Sequence, residues 1–222
     1  MTHQRLDPAN TTRHEISRVA ADLVSAARPL SPATLHEAAG KSGALPSSIK
    51  PIAPQFRLCG PAVTVHSPGG DNLWLHRAIY AAQPGDVLVV HTSGLFYHGY
   101  WGEIMSTAAK ARGLGGLVID GCVRDGDLLS HIGFPVFARG LCIRGTAKDF
   151  GARGWINAPL LIEDALVRPG DLIVADGDGV VCIARDQVEQ VLESARQRER
   201  QESDILDRLK QGATTLDIYG WN

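Results

Sequence analysis

Cysteine is scarce in this chain, net charge is small and long apolar runs are missing, and each shortage removes a class of protein. The 222 residues include four cysteines, Cys59, Cys122, Cys142 and Cys182, which lie far apart and form no C-x-x-C pair. A disulfide framework is therefore not expected, and apolar or small neighbours read all four as buried free thiols. The eight histidines form no H-x-x-x-H pair, so no zinc site is expected. A formal charge of -2 argues against a nucleic-acid surface, which shows as a basic excess or cluster. The densest basic stretch, Arg196, Arg198 and Arg200, alternates with Gln197, Glu199 and Gln201 and reads as a solvated helix face. No run is apolar and long enough to span a bilayer, and residues 1–13 form a polar tail without the apolar stretch of a signal peptide. The expectation is a reduced, cytoplasmic protein with no membrane and no nucleic-acid partner.

What is present is an ordinary globular composition, 44% hydrophobic and 21% charged, in a length that suits one domain over 1–222. Residues 15–27 carry Ile16, Val19, Ala20, Leu23, Val24 and Ala27 at helical spacing. Ser31-Pro32 looks like an N-cap followed by proline at the first helical position, opening a short helix that Gly40 ends. Residues 41–57 read as an excursion. From Cys59 a strand–helix rhythm sets in. Strands are expected over 61–66, 87–91, 117–120 and 136–139. Helices are expected over 73–82, 103–112 and 127–132, with Asp71-Asn72 as the cap of the first. Such alternation implies α/β layers with buried, largely parallel strands. In the last third, short β runs at 159–162, 172–175 and 180–183 alternate with Pro-Gly-Asp and Asp-Gly-Asp-Gly turns.

A long amphipathic helix closes the chain over about 186–210. Val188, Val191, Leu192 and Ala195 mark its apolar start and Ile205 and Leu209 its apolar end, with almost nothing apolar between. It is either a solvated helix on a monomer or one that finds its partner on another subunit; the second reading predicts an oligomer.

Two segments carry chemistry. In His98-Gly99-Tyr100-Trp101-Gly102-Glu103-Ile104-Met105, Gly102 allows close backbone approach, and the first-turn amides of the following helix lack intrahelical partners. In Leu117-Val118-Ile119-Asp120-Gly121-Cys122-Val123-Arg124-Asp125, a charged pair ends a buried strand, where ligands bind in open α/β sheets. Arg124 offers a planar fork for a carboxylate or enolate, and Asp125 a hard oxygen for Mg²⁺ or Mn²⁺. Each segment also has a plain structural explanation: Glu103 as an acid in a first helical turn, and Arg124-Asp125 as a cap with a salt bridge. Together they favour a site. Gly113-Leu114-Gly115-Gly116 follows a helix and precedes a strand, the reverse of a dinucleotide fingerprint, so a nicotinamide or S-adenosylmethionine role is rejected.

Glu103-x20-Arg124-Asp125, within "GEIMSTAAKARGLGGLVIDGCVRD", resembles the D/E-x20-R-D signature of the 4-hydroxy-4-methyl-2-oxoglutarate aldolase family. These are class II pyruvate aldolases, and the family also includes the RraA-like proteins. "TLHEAAGKSGAL", "CGPAVTV", "GGDNLWLHRAI", "QPGDVLVV", "GFPVFARG" and "VRPGDLIVADGDGVVCI" resemble further family segments, so the likeness spans most of the chain. It implies a layered α/β/β/α fold with a long C-terminal helix. It implies Asp125 as a direct ligand of Mg²⁺ or Mn²⁺, Glu103 as the carboxylate holding a metal-bound water, and Arg124 as the group on the substrate carboxylate and enolate. Residues 102–105, that is Gly102, Glu103, Ile104 and Met105, match the loop whose amides bind the pyruvyl carboxylate. Several relatives carry Asp where Glu103 stands, and the longer side chain alters water placement. The family also draws an acid from the C-terminal helix of a neighbouring subunit, for which Glu199 and Glu202 are candidates, in a homotrimer or hexamer. His36 and Glu37 are weaker candidates near the pocket, and Tyr97, His98, Tyr100 and Trp101 are placed to line its mouth.

The function so implied is a metal-dependent lyase that cleaves a 4-hydroxy-2-oxo acid to pyruvate and a second 2-oxo acid, with oxaloacetate decarboxylation as a side activity. The alternatives are a non-catalytic RraA-like regulator that binds a ribonuclease, or another lyase or isomerase on the same enolate chemistry.

Overall fold

The computed structural model describes residues 11–222; the rest of the expected polar tail, residues 1–10, lies outside the described residues. Ten strands and seven helices follow one another among them. They are α1 (Ala21–Ala27), α2 (Pro32–Ala38), β1 (Lys50–Pro51), β2 (Leu58–His66), α3 (Leu73–Ala81), β3 (Val87–His91), α4 (Glu103–Ala111), β4 (Gly116–Val123) and α5 (Gly126–Ile132). After these come β5 (Val136–Leu141), β6 (Trp155–Ile156), β7 (Leu160–Ile162), β8 (Ala165–Val167), β9 (Leu172–Ala175), β10 (Val180–Ile183), α6 (Val188–Lys210) and α7 (Thr215–Tyr219).

The main sheet runs β1-β5-β4-β3-β2-β9-β10, with β6 also on β2. Its centre, β5-β4-β3-β2, is parallel, as the apolar runs predict, while β1, β6, β9 and β10 pair antiparallel. β2 is longer than its apolar pattern suggests because it serves two partners. Residues 58–61 pair with β9 and residues 62–66 with β3. The sheet nearly closes on itself through residues 43–51. Leu45 N donates to Val180 O at 2.9 Å and Cys182 N to Gly43 O at 2.8 Å, and β1 then joins β5. Gly43 sits at φ 77°, and a Cβ there would lie 2.0 Å from the Cys182 carbonyl oxygen. This closure needs glycine.

Strand alternation divides the interior into two cores. In β9, Ile173 and Ala175 face the main core with β2 to β5, α3 and α4, while Leu172 and Val174 face a second core under α1, α2 and α6. β10 does the same, with Val180 and Cys182 on one side and Val181 and Ile183 on the other. This is the expected α/β/β/α layering. α6 buries Val188, Val191, Leu192 and Ala195 in the second core. Beyond that point it leaves the core, and Leu206 is exposed. Among the described residues no helix is long and apolar enough to cross a membrane.

One helix is shorter than its periodicity predicts. Residues 13–20 form no regular element, and α1 begins only at Ala21. Tertiary partners override the local pattern: Arg13 N donates to Ile156 O at 3.2 Å and Val19 N to Gly170 O at 3.0 Å. Arg18 reaches Asp86 through both Nε and Nη2 at 2.8 Å. Three cysteines are buried free thiols as expected, but Cys142 is only half-buried. Burial pushes the Cys59 thiol up to about 11, partly offset by Arg28.

Asp86 is 1% exposed and also accepts from Gln83 N at 2.7 Å. Asp86→Ala strands the Arg18 guanidinium and one buried amide, and is expected to cost about 3 kcal/mol, the low end for a broken buried pair because Arg18 is partly solvated. A lowered urea midpoint with an unchanged m-value checks this; a midpoint equal to wild type would remove the pair from the account of this segment.

Candidate active site

β4 ends at Val123, and Arg124 and Asp125 leave the sheet at the carboxyl end of a central parallel strand. Beside them runs the loop from β3, laced to β4 as an irregular extra strand. Cys122 N donates to Phe96 O at 2.9 Å, Tyr100 N to Cys122 O at 3.1 Å and Arg124 N to Trp101 O at 2.8 Å. This lacing delivers Gly102 and the start of α4 to Asp125.

Asp125 has left-handed backbone, φ 63°, a region that aspartate tolerates better than most residues. It stands at the N-cap position of α5 but makes no cap bond to it. Instead its Oδ2 accepts from Glu103 N, at the start of α4, at 3.0 Å. The simple capping explanation for this residue therefore fails. A Cβ on Gly102 would lie 2.3 Å from that same Oδ2 and 3.2 Å from Arg124 Cγ, so a side chain there would push the Asp125 carboxylate out of place. Arg124 Nε is 3.8 Å from Asp125 Oδ2, with both side chains part exposed. A contact this loose contributes little and leaves the guanidinium available to a ligand. The Glu103 amide is committed to Asp125, whereas those of Ile104 and Met105 lie in the first turn, where a helix supplies no partner.

The aromatic residues divide differently from expectation. Tyr100 and Trp101 line the cleft as expected, but both are buried and also act as structural supports. The Tyr100 hydroxyl accepts from Gly70 N at 2.8 Å and donates to Leu95 O. Trp101 Nε1 donates to Ser106 Oγ at 2.6 Å, and its ring stacks on Phe134. Tyr97 and His98 do not line the cleft. The Asp71-Asn72 cap also splits: Asp71 Oδ1 accepts from Leu73 N at 2.8 Å, while Asn72 makes no cap bond. Asn72 Nδ2 turns to Tyr100 O at 2.9 Å and Met105 Sδ at 3.6 Å, fixing the site loop.

These elements enclose an open cleft of about 280 Å³. Arg124, Asp125 and residues 99–105 line it together with Asn72, His76, Gly145, Thr146 and Lys148. Burial, then the charge of Lys148, pulls the His76 imidazole below its ordinary value, against a smaller opposing pull from Asp71.

A profile of the RraA-like family, described as Aldolase/RraA, matches residues 20–182. The chain belongs to the RraA-like family. A protein of Halalkalibacterium halodurans, provisionally named a 4-hydroxy-4-methyl-2-oxoglutarate aldolase, is 35% identical over 184 residues, covering 83% of this chain and 87% of that one. The crystal structure of an uncharacterized Pseudomonas syringae protein superposes with a TM-score of 0.79 at 31% identity, covering 90% of this chain and 93% of the other. Streptomyces coelicolor RraAS2, described as an unusual member of the RNase ES inhibitor RraA protein family, gives a TM-score of 0.75 at 26% identity, covering 85% and 98%. The family thus includes names from both catalysis and regulation.

Within this RraA-like chain the other candidate acids stand apart from the cleft. Glu37 lies 3.7 Å from Arg198, which also holds Glu202 at 2.8 Å, on the α2–α6 side. His36 Nδ1 meets Ser42 O at 3.0 Å. Glu199 is exposed on α6 and does not line the cleft either, so it could serve a site only in another copy of the chain. Sequence reasoning passed over His76, Thr146 and Lys148. Lys148 sits in a stretch with no apolar period, and nothing local marks it.

The residues present fit a hard divalent cation. Among the described residues no three His, Cys, Asp or Glu side chains gather into a metal cage. The cleft offers instead two carboxylates, Asp125 and Glu103, one of them oriented by an amide. That is the donor set of Mg²⁺ or Mn²⁺, which fill the remaining positions with water and ligand oxygens.

The His76 ring should titrate below the ordinary histidine value of about 6.5. In Lys148→Ala the titration should move up but stay depressed, because burial remains. A proton NMR titration of both proteins checks the direction; an unmoved His76 would mean that Lys148 does not act on it.

Proposed function

We propose that this chain is a divalent-metal-dependent carbon–carbon lyase acting on a 4-hydroxy-2-oxo acid, such as 4-hydroxy-4-methyl-2-oxoglutarate or 4-carboxy-4-hydroxy-2-oxoadipate. The products are pyruvate and a second 2-oxo acid. The observation that carries the reading is the meeting of Asp125, Arg124 and the unpartnered Ile104 and Met105 amides on one open cleft. The aldolase name of a 35% identical relative supports it.

Asp125, with Glu103 beside it, would hold Mg²⁺ or Mn²⁺, which supplies Lewis acidity to the keto and carboxylate oxygens of a 2-oxo acid. The Ile104 and Met105 amides, at the positive end of α4, bind the substrate carboxylate. Arg124 holds the negative charge that gathers on the keto oxygen as the C3–C4 bond breaks. Glu103, exposed at the cleft mouth, takes the proton of the 4-hydroxyl through a water. The C4–O bond becomes a carbonyl, the electron pair of the broken bond forms pyruvate enolate, and a proton returned to C3 completes pyruvate. Loss of CO₂ from oxaloacetate yields the same enolate, so decarboxylation accompanies the aldolase reaction. The second half of α6, where Leu206 is exposed and Ile205 and Leu209 are half-buried, supports assembly into a homo-oligomer, in which Glu199 of one copy would serve the cleft of another.

Purified protein with Mg²⁺ or Mn²⁺ should release pyruvate from 4-hydroxy-4-methyl-2-oxoglutarate and from oxaloacetate. Chelation, or Asp125→Ala, should abolish release, and Gly102→Ala should lower it by about 10²-fold through displaced geometry. Release that persists under both chelation and Asp125→Ala sinks the proposal. No turnover, together with recovery of an endoribonuclease on the immobilised protein, would favour the regulator named among its relatives.

A further inference from the structure

The eight histidines show no zinc spacing along the sequence, yet the fold brings two of them together. His66 ends β2 and His91 ends β3, and they are partners in the parallel register. They stand side by side at the carboxyl edge of the sheet, where α/β folds commonly bind ligands. Neither lines the cleft of Arg124 and Asp125. His91 Nδ1 lies 3.4 Å from His66 Nδ1, while the ring centroids are 5.5 Å apart. The centroids are farther apart than the nitrogens, so the rings meet through their Nδ1 edges. Trp155 packs edge-on against His66, with centroids 4.3 Å apart, and holds that ring in place.

Ser93 fixes where the hydrogen of His66 sits. Ser93 Oγ donates its one hydrogen to Ser67 O at 2.8 Å, so towards His66 Nε2, 3.3 Å away, it acts as the acceptor. Nε2 therefore carries the hydrogen, and Nδ1 of the neutral ring presents a lone pair to His91. Burial, then the charge of His91, holds the His66 imidazole below its ordinary value, which favours that neutral ring. A hydrogen bond from His91 would be long at 3.4 Å, since such bonds run about 2.7–3.2 Å. Two imidazole nitrogens about 2.0–2.1 Å from a tetrahedral zinc ion, by contrast, stand about 3.3–3.4 Å apart.

We propose that His66 and His91 form a site for a borderline transition-metal dication, Zn²⁺ above all, separate from the Mg²⁺ or Mn²⁺ of the cleft. Imidazole nitrogen suits Zn²⁺ and its neighbours, whereas Mg²⁺ and Mn²⁺ prefer oxygen. His91 contributes Nδ1 as its Nε2–H tautomer, a neutral rearrangement. The Ser93–Ser67 chain orients His66, the service that an outer hydrogen bond gives a metal-binding histidine. Among the described residues no third His, Cys, Asp or Glu joins the pair. Asp120, the register partner of His91 on β4, gives Oδ1 to Arg139 Nε at 2.6 Å. Water fills the remaining positions: both rings are only half-buried, and Ser93 beside them is exposed. The ion would join the ends of β2 and β3 at the root of loop 92–101, whose far end leads into Gly102.

The site is independent of the lyase reading, so turnover plays no part in its test. Calorimetry with Zn²⁺ in excess Mg²⁺ should show one Zn²⁺ site in wild type. His66→Gln and His91→Gln should each weaken it at least ~10-fold, since loss of even an outer partner costs that much. Asp125→Ala should keep it, as should His131→Gln, which alters an exposed histidine on α5. Nitrogen NMR of the wild-type imidazoles gives a reading that does not depend on any variant folding. His66 should be the Nε2–H tautomer before Zn²⁺ is added, and Zn²⁺ should shift Nδ1 of both rings. An Nδ1–H tautomer at His66, unmoved Nδ1 signals, or a Zn²⁺ site that survives both substitutions would each overturn the proposal. Loss of the Zn²⁺ site in Asp125→Ala would overturn it too, because the ion would then belong to the cleft.

Discussion

The end of β4 and the beginning of α4 approach so closely that a side chain at Gly102 would displace the Asp125 carboxylate. At Gly102 a Cβ would stand 2.3 Å from the Asp125 carboxylate, and the rest of the candidate site follows from that contact. Because Gly102 is bare, Asp125 Oδ2 can take the Glu103 amide at 3.0 Å. Because that amide orients the carboxylate, Asp125 is drawn away from capping its own helix and faces the cleft. Arg124, one residue earlier, is left with only a loose partner at 3.8 Å, and the next two amides of α4 stay open. The site spends backbone hydrogen-bonding capacity that an ordinary helix start would satisfy with a cap, as functional sites commonly do.

Holding two elements at such a distance needs a rigid frame, and the sheet provides it. β3 and β4 are buried in the centre of a parallel array, and the strands on the far side alternate their side chains between two separate cores. A shift of register in β9 or β10 by one residue would exchange the two faces, so packing on both sides fixes that register. Residues 43–51 tie β10 back towards β1 and β5, and α3, α4 and α5 complete the main core. The site loop inherits this rigidity through its rungs on Cys122 and Arg124.

The parallel centre was legible because fully buried strands leave unbroken apolar runs; β3 matches its expected span of 87–91. Capping chemistry was equally legible at Ser31-Pro32, where Ser31 Oγ accepts Thr34 N at 3.0 Å. The misreadings share a cause, which is that distant partners outbid local pattern. Residues 15–20 have helical spacing but are drawn straight by Arg18 and the Val19 amide. Tyr97 and His98 do not reach the cleft, whereas Tyr100 and Trp101 line it with their polar tips engaged by Gly70, Leu95 and Ser106. Arg124 and Asp125 could be found because they end a strand and sit at a recognisable spacing from Glu103. Lys148 could not, since its meaning depends on a fold that brings residues 144–149 across to α3.

Three consecutive residues, Gly70, Asp71 and Asn72, tie together two of the segments that line the cleft. Gly70 donates to the Tyr100 hydroxyl and accepts from Ala147 N, each at 2.8 Å. Asp71 binds the Asp149 amide, and Asn72 binds both Ala147 O and Tyr100 O. One short turn therefore grips the Arg124 side through Tyr100 and the Lys148 side through residues 147–149. A change at 70–72 would therefore move the Tyr100 loop and the 147–149 segment together, without touching Arg124 or Asp125 themselves.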